Sequence, residues 1–234
     1  MIFLNPFLMS FRTAMAALLM LNSPFAFCHS QTGYNLRAAH FEHTPAGLMM
    51  YMRISLPLVV ANKLGQPRKE GGFVPAPFTY NRVESGKVSH YLDIAAVKRD
   101  ITGLGQLVLQ GHELRSDGKV LTAKLISTRA QPKGNVPPFA RLEDAKSACA
   151  GVAYPERSEE MDTGYVLIDV AALYPRVDQD KTLAIKSSLI PGELGEPATK
   201  NIFWEHRGSD TRQYDAEGLL DATLTIGGTA NIRE

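Results

Sequence analysis

The chain has 234 residues, with 25 basic and 24 acidic side chains, six histidines and a net charge of +1. A charge so evenly balanced argues against nucleic acid as the main partner, because phosphate binding needs concentrated Lys and Arg. Two cysteines are too few for a disulfide scaffold.

Residues 1–30 carry one charge, Arg12, then the apolar run Ala14–Leu21, then Phe25-Ala26-Phe27-Cys28. This is the layout of a secretory signal peptide. The run falls short of the ~20 apolar residues of a membrane span. Cleavage is expected before His29 or Gln31. It would leave a mature chain of roughly 200 residues, enough for one domain, exported to the periplasm or secreted. Phe27 stands where a lipoprotein signal wants Gly or Ala, so acylation of Cys28 is not expected. No other stretch approaches a membrane span. If Cys28 leaves with the signal, Cys149 has no disulfide partner; if it stays, a Cys28–Cys149 bridge is the alternative.

From residue 31 the pattern is β. Leu48, Met50, Met52 and Ile54 alternate with Met49, Tyr51, Arg53 and Ser55, the period of a strand with one buried face. Tyr34–His43 is its expected hairpin partner across Pro45-Ala46-Gly47. Leu56–Ala61 is apolar and only of strand length. Gly65–Pro77 reads as a loop. Phe78–Tyr91 reads as two strands joined at Ser85-Gly86, Leu92–Asp100 as a short helix and Leu107–Leu109 as a strand. Ser116-Asp117-Gly118-Lys119 is a hairpin turn, followed by a strand over Val120–Arg129 and a loop over Gln131–Pro138. Leu142–Cys149 is the best helix, with Glu143 and Asp144 in its first turn. Tyr165–Ala171, Thr182–Ile190, Asn201–His206, Thr211–Tyr214 and Leu219–Ile226 complete the strands, with a turn at Arg207–Asp210. Many short strands and few helices favour a mainly β fold, an antiparallel β-sandwich of immunoglobulin-like plan with one or two short helices, spanning 31–234 as one domain with long loops.

Catalytic signatures are missing. There is no Gly-x-Ser-x-Gly, Walker loop, His-Glu-x-x-His or Cys-x-x-Cys, and Gly103-Leu-Gly105 lacks the third glycine of a nucleotide loop and reads as a flexible turn. His40-Phe-Glu-His43 is the strongest constellation. On a strand His40 and Glu42 share a face and His43 points away. A divalent metal (Ni, Cu or Zn) at His40, Glu42 and His43 would therefore need a bend at Thr44-Pro45, or convergence of His90, His112 or His206; solvated strand-end residues are the simpler reading. Glu193 and Glu196, on a Gly/Pro-rich loop, could serve a hydrolase or be merely solvated. Glu156, Glu159, Glu160 and Asp162 form an acidic run without calcium-ligand spacing. Cys149, with no histidine near it in sequence, reads as a packed residue rather than a nucleophile. Phe203 and Trp204 face opposite sides of a strand, so one packs in the core, while an exposed Trp204 would mark a partner or sugar surface.

Three stretches, Phe41–Val60, Gly164–Val170 and Leu194–His206, resemble the exported β-rich domain that precedes the membrane helices in some HupE/UreJ-like bacterial proteins. That family's metal-transport association lies in helices with histidine and aspartate motifs, which have no counterpart here, so no family metal residue carries over. The resemblance implies a periplasmic or secreted accessory domain. The expected function is a non-catalytic binding module of the bacterial envelope. Its partner would be an envelope protein or small ligand, recognised by the loops at 65–77, 131–138 and 191–197. A metal-binding accessory protein and a hydrolase with acids on the 191–197 loop are the alternatives.

Overall fold

The period-two stretches of the sequence become the middle of a six-stranded sheet. The computed structural model describes residues 35–64, 72–151, 153–154, 160–178, 180–189, 199–218, 220 and 224–226. The expected signal peptide, Glu193 and Glu196, Glu156 and Glu159 of the acidic run and the start of the 65–77 loop lie outside the described residues. By their contacts Gly33–Glu234 form one unit. No helix among the described residues is long and apolar enough to cross a membrane.

Strands β1 (Asn35–Thr44) and β2 (Gly47–Ser55) form the expected hairpin, with Thr44 opposite Gly47. Gly47 has φ +143° and its Cα faces the Tyr174 carbonyl so closely that a Cβ would overlap it; only glycine closes this turn. The chain then turns into helix α1 (Leu56–Val60), with Pro57 in its first turn. The apolar run Leu56–Ala61, too short for a membrane span, forms this helix and the start of a 3-10 turn. Strands β3 (Thr79–Glu84) and β4 (Lys87–Leu92) form a separate two-stranded sheet around Ser85-Gly86, both at positive φ.

Helix α2 (Ile94–Arg99) is capped by Asp93, whose carboxylate accepts from Ala96 N at 2.9 Å. Helix α3 (Ile101–Gln110) is capped likewise by Asp100, which accepts from Gly103 N at 2.7 Å. A short strand at Leu107–Leu109 and a turn at Gly103–Gly105 were expected here. Two glycines lower local helix propensity, but Leu104 and Val108 at i and i+4 bury one stripe, and the absence of a side chain at Gly105 lets the helix lie against Thr128.

Strand β5 (His112–Ser116) turns at Asp117-Gly118, both at positive φ, into β6 (Lys119–Leu121). After two residues β7 (Lys124–Pro132) joins the other sheet, with a bulge between Leu125 and Ser127. The single strand expected over Val120–Arg129 is thus two strands in two sheets. Helix α4 (Leu142–Ala150) follows, then β8 (Val166–Tyr174), β9 (Leu183–Ser187), β10 (Thr199–Arg207), β11 (Asp210–Glu217) and β12 (Leu224–Ile226).

The six-stranded sheet runs β11-β10-β1-β2-β8-β7, and the four-stranded sheet runs β12-β9-β5-β6. The fold is therefore mainly β, with several antiparallel pairings and a few short helices. The β1–β10 pair is parallel, Arg37 opposite Asn201 and His40 opposite Trp204, where an all-antiparallel arrangement was expected. Parallel pairing joins strands far apart in sequence, so no turn signal announces it. Helices α1 to α4 exceed the one or two expected, because α1 shows only a proline in its first turn and buried side chains, and α3 an aspartate cap and packing, rather than a clear polar stripe.

One face of the six-stranded sheet carries Ala39, Phe41, Met50, Met52, Ile54, Ile168, Val170 and Phe203. They share a core with Leu104 and Val108 of α3 and with Leu114, Leu183 and Ile185 of the smaller sheet. Burying a side chain of this size contributes about 1.5–3 kcal/mol. The other face is covered by α4, where Ala145, Ala148 and Cys149 meet Ala38, Ala171 and Phe139. That second face carries the site.

Candidate functional site

The site face presents Ala38, His40 and Glu42 from β1, Tyr51 and Arg53 from β2, Asp169 and Ala171 from β8, and Trp204 and His206 from β10. Period-two geometry dictates this set once the register is fixed. Small alanines let α4 approach, and the space between helix and sheet is filled with polar side chains.

The His40 ring is the hub. Its Nε2 lies 2.8 Å from the Phe139 carbonyl and its Nδ1 lies 2.8 Å from His206 Nε2. A carbonyl only accepts, so His40 Nε2 carries a hydrogen and Nδ1 is bare. His206 Nε2–H therefore donates to His40, and His206 Nδ1 accepts from the Thr211 hydroxyl at 2.9 Å. The chain of donors runs Thr211 to His206 to His40 to Phe139. Trp204 stacks on His40 with centroids 4.3 Å apart and planes 10° apart. Burial pushes the His40 pKa down to about 4, opposed by the Phe139 hydrogen bond and Asp144 and assisted by His206. Burial also lowers His206. Both rings are neutral at pH 7.

Deeper on the same face, Arg53 and Asp169 form a bidentate pair, Nε to Oδ1 at 2.7 Å and Nη2 to Oδ2 at 2.8 Å. The same guanidinium donates to the Pro137 carbonyl at 2.8 Å and lies 4.5 Å from the Phe139 ring centroid. Gln131 also donates to Asp169. The 131–138 segment, expected as a free recognition loop, is thus folded onto the sheet. Gln131 and Pro132 belong to β7, and the Pro137 carbonyl satisfies a buried arginine that water cannot reach.

His40, Glu42 and His43, the expected metal set, are not brought together. Glu42 accepts from Lys146 at 2.8 Å. His43 faces the opposite side, with Nε2 3.1 Å from Glu205 and Nδ1 3.4 Å from the Val177 carbonyl. Glu205 also accepts from Arg207 at 2.8 Å. Burial pushes its pKa up, but these two partners more than offset that and leave it lowered. His206 does converge on His40, yet no group of three His, Cys, Asp or Glu side chains among the described residues is placed to hold an ion. His90 bonds Asn81 at 2.9 Å. His112 donates from Nδ1 to the Val108 carbonyl at 2.7 Å, and burial takes it down to about 3. The Cys149 thiol is buried and pushed up by desolvation, as expected of a packed rather than nucleophilic cysteine.

Phe203 is fully buried in the main core, and Trp204 lies half-buried on the α4 face, its Nε1–H donating to Gln213 at 2.8 Å. The Arg53–Asp169 pair was not found from sequence, and His206 was only one of three histidines considered as partners of His40. A basic and an acidic residue at inward positions of two apolar strands was the available signal for the pair; the His40–His206 contact depends on the parallel register.

A half-buried aromatic pair stands elsewhere. On the β3–β4 hairpin Tyr80 and Tyr91 stack at 5.4 Å, Arg82 lies 5.1 Å from the Tyr91 ring centroid and pairs with Glu160, and Tyr91 donates to Glu84 at 2.8 Å. Val83 at the tip is 72 % exposed.

Compared with protein-family models, with curated proteins and with solved structures, the chain matches none of them.

Proposed function

We propose that this chain is an exported, non-catalytic binding or accessory module of the bacterial envelope, with the β3–β4 hairpin as its recognition arm. The observation that carries the reading is a division of labour among polar groups. Inside, the catalytic-type side chains of the site face hold one another: His40 with His206, Arg53 with Asp169, Glu42 with Lys146. Outside, the hairpin holds its own aromatic and charged side chains in fixed poses and presents Val83 to solvent. Pre-ordered aromatic and arginine side chains on an exposed hairpin suit partner binding at low entropic cost.

The signal-like layout of residues 1–30 supports export, and the resemblance to the soluble domain of HupE/UreJ-like proteins supports an accessory role. The core shared by the two larger sheets supports a sandwich of immunoglobulin-like plan as the scaffold. The test places a photo-crosslinking amino acid at Val83, and as a control at Asp210, in a Gram-negative host expressing the full chain. A discrete adduct from position 83, weakened by Tyr91→Ala and absent from 210, is expected in the periplasmic fraction. Equal labelling at both positions, or an uncleaved cytoplasmic protein, would overturn the reading.

A further inference from the structure

We propose that the His40–His206 contact is an acid-operated latch that fastens the Phe139 segment and helix α4 to the sheet. The argument is geometric. The 2.8 Å contact between two ring nitrogens holds one hydrogen. A first added proton has a place to go: His206 Nδ1 takes it, and the Thr211 hydroxyl turns from donor to acceptor. The exposed Thr211 is the entry point. A second proton can go only to His40 Nδ1, where it opposes N–H to N–H. His40 must then turn, which breaks its bond to the Phe139 carbonyl and its stacking on Trp204.

The surroundings do not cancel this. Asp144 of α4 favours charge on His40, and Glu42 of β1 and Glu205 of β10 favour it on His206, while Lys146 of α4 opposes it. Glu42 is already held by Lys146, and Glu205 by His43 and Arg207. From β2 and β8, Arg53 and Asp169 neutralise each other, and Tyr51 donates to Glu42. On β11, Asp210 pairs with Arg212 and Asp215 accepts from Gln213. No free carboxylate among the described residues meets His40 directly, so burial keeps both rings neutral until the solution is acidic.

What the latch holds follows from the chain path. Phe139 lies three residues before α4, touches the His40 ring edge-on at 5.5 Å and sits over Arg53. Losing His40 loosens the cover of the second face while the main core, which the pair does not enter, stays packed.

Trp204, the chain's one tryptophan, reports on the ring it stacks against, since a charged imidazole against an indole changes its emission. The experiment follows Trp204 fluorescence, far-UV circular dichroism and hydrogen exchange of the purified protein from pH 8 to about pH 3, past the value of about 4 to which burial takes His40. Expected is a reversible emission change with its midpoint below pH 6.5, before the dichroism changes. Amide exchange over 137–150, corrected for its intrinsic pH dependence, should be at least about tenfold faster at the acid end, with β1 and β2 unaffected. His40→Gln should abolish the emission step, His206→Gln should shift its midpoint, because the amide oxygen can accept from a protonated His40, and His112→Gln should leave it in place. Emission that stays flat until the dichroism collapses, an unchanged step in both pair variants, or no local rise in exchange would overturn the latch. Should either pair variant fail to fold, histidine ring NMR on the wild-type protein decides. Two coupled steps shared by His40 and His206 are expected, and two independent single-step titrations would overturn it.

Discussion

The two faces of the six-stranded sheet are stabilised by different physics. The face toward α3 and the smaller sheet is filled by volume: Phe41, Met50, Met52, Ile54 and Phe203 interdigitate with helix side chains. The face under α4 has little apolar volume, mostly alanines, and is organised by the Arg53–Asp169 pair and the His40–His206 contact. Volume tolerates exchange of one apolar shape for a similar one. A buried polar arrangement tolerates almost nothing, because each partner left alone keeps its full desolvation cost. The face that looks less packed is therefore the more sensitive to single substitutions and to pH.

The largest effect that would break this comparison comes from Arg53→Met or Asp169→Leu alone. Each leaves a buried charge uncompensated and should cost about 3–5 kcal/mol, measured by urea unfolding. The double variant should recover most of that loss; if it is as unstable as the singles, the pair is not what organises the face. On the volume side, Phe203→Ala should cost about 3–5 kcal/mol by the same measurement, whereas Met52→Leu should cost less than about 1.5 kcal/mol.

Acid should separate the faces next. His40 falls to about 4 and His112 to about 3, both below the ordinary 6.5. The folded state therefore binds fewer protons than the unfolded chain. The stability these neutral rings contribute is fully present above pH 6.5 and declines as pH falls from 6.5 toward 4 and 3, by an amount on the order of a few kcal/mol. Urea midpoints measured between pH 8 and pH 4 should show that slope, and His112→Gln should remove part of it. A midpoint independent of pH would contradict the buried, neutral state of both rings. The smallest effect probes the cover of the volume face. Asp100→Ala removes the N-cap of α3 and should cost about 1 kcal/mol, with no change in that pH slope.

Strand positions were largely legible because period-two alternation and turn residues are local. β1, β2 and the Asp117-Gly118 turn follow directly from Met50, Met52 and Ile54 on one side and from a glycine that accepts positive φ on the other. The facing of His40 and Glu42 away from His43 was legible for the same reason. Helix α3 was not, since Gly103 and Gly105 weaken its local signal and its stability comes from Leu104 and Val108 docking on a distant sheet. Which of the three candidate histidines meets His40 was not legible either. His206 stands 166 residues away and is set by the parallel β1–β10 register.

The sequence by itself determined the alternation of faces, the hairpin turns, the α2 and α4 segments and the charge balance. These depend on residues within a few positions of one another, where steric and capping preferences act. The tertiary structure alone decided which strands are neighbours, which polar side chains become each other's partners and which loop folds down to seal them. Those outcomes turn on burial, and a polar group's cost or value is set only when water has been removed from around it.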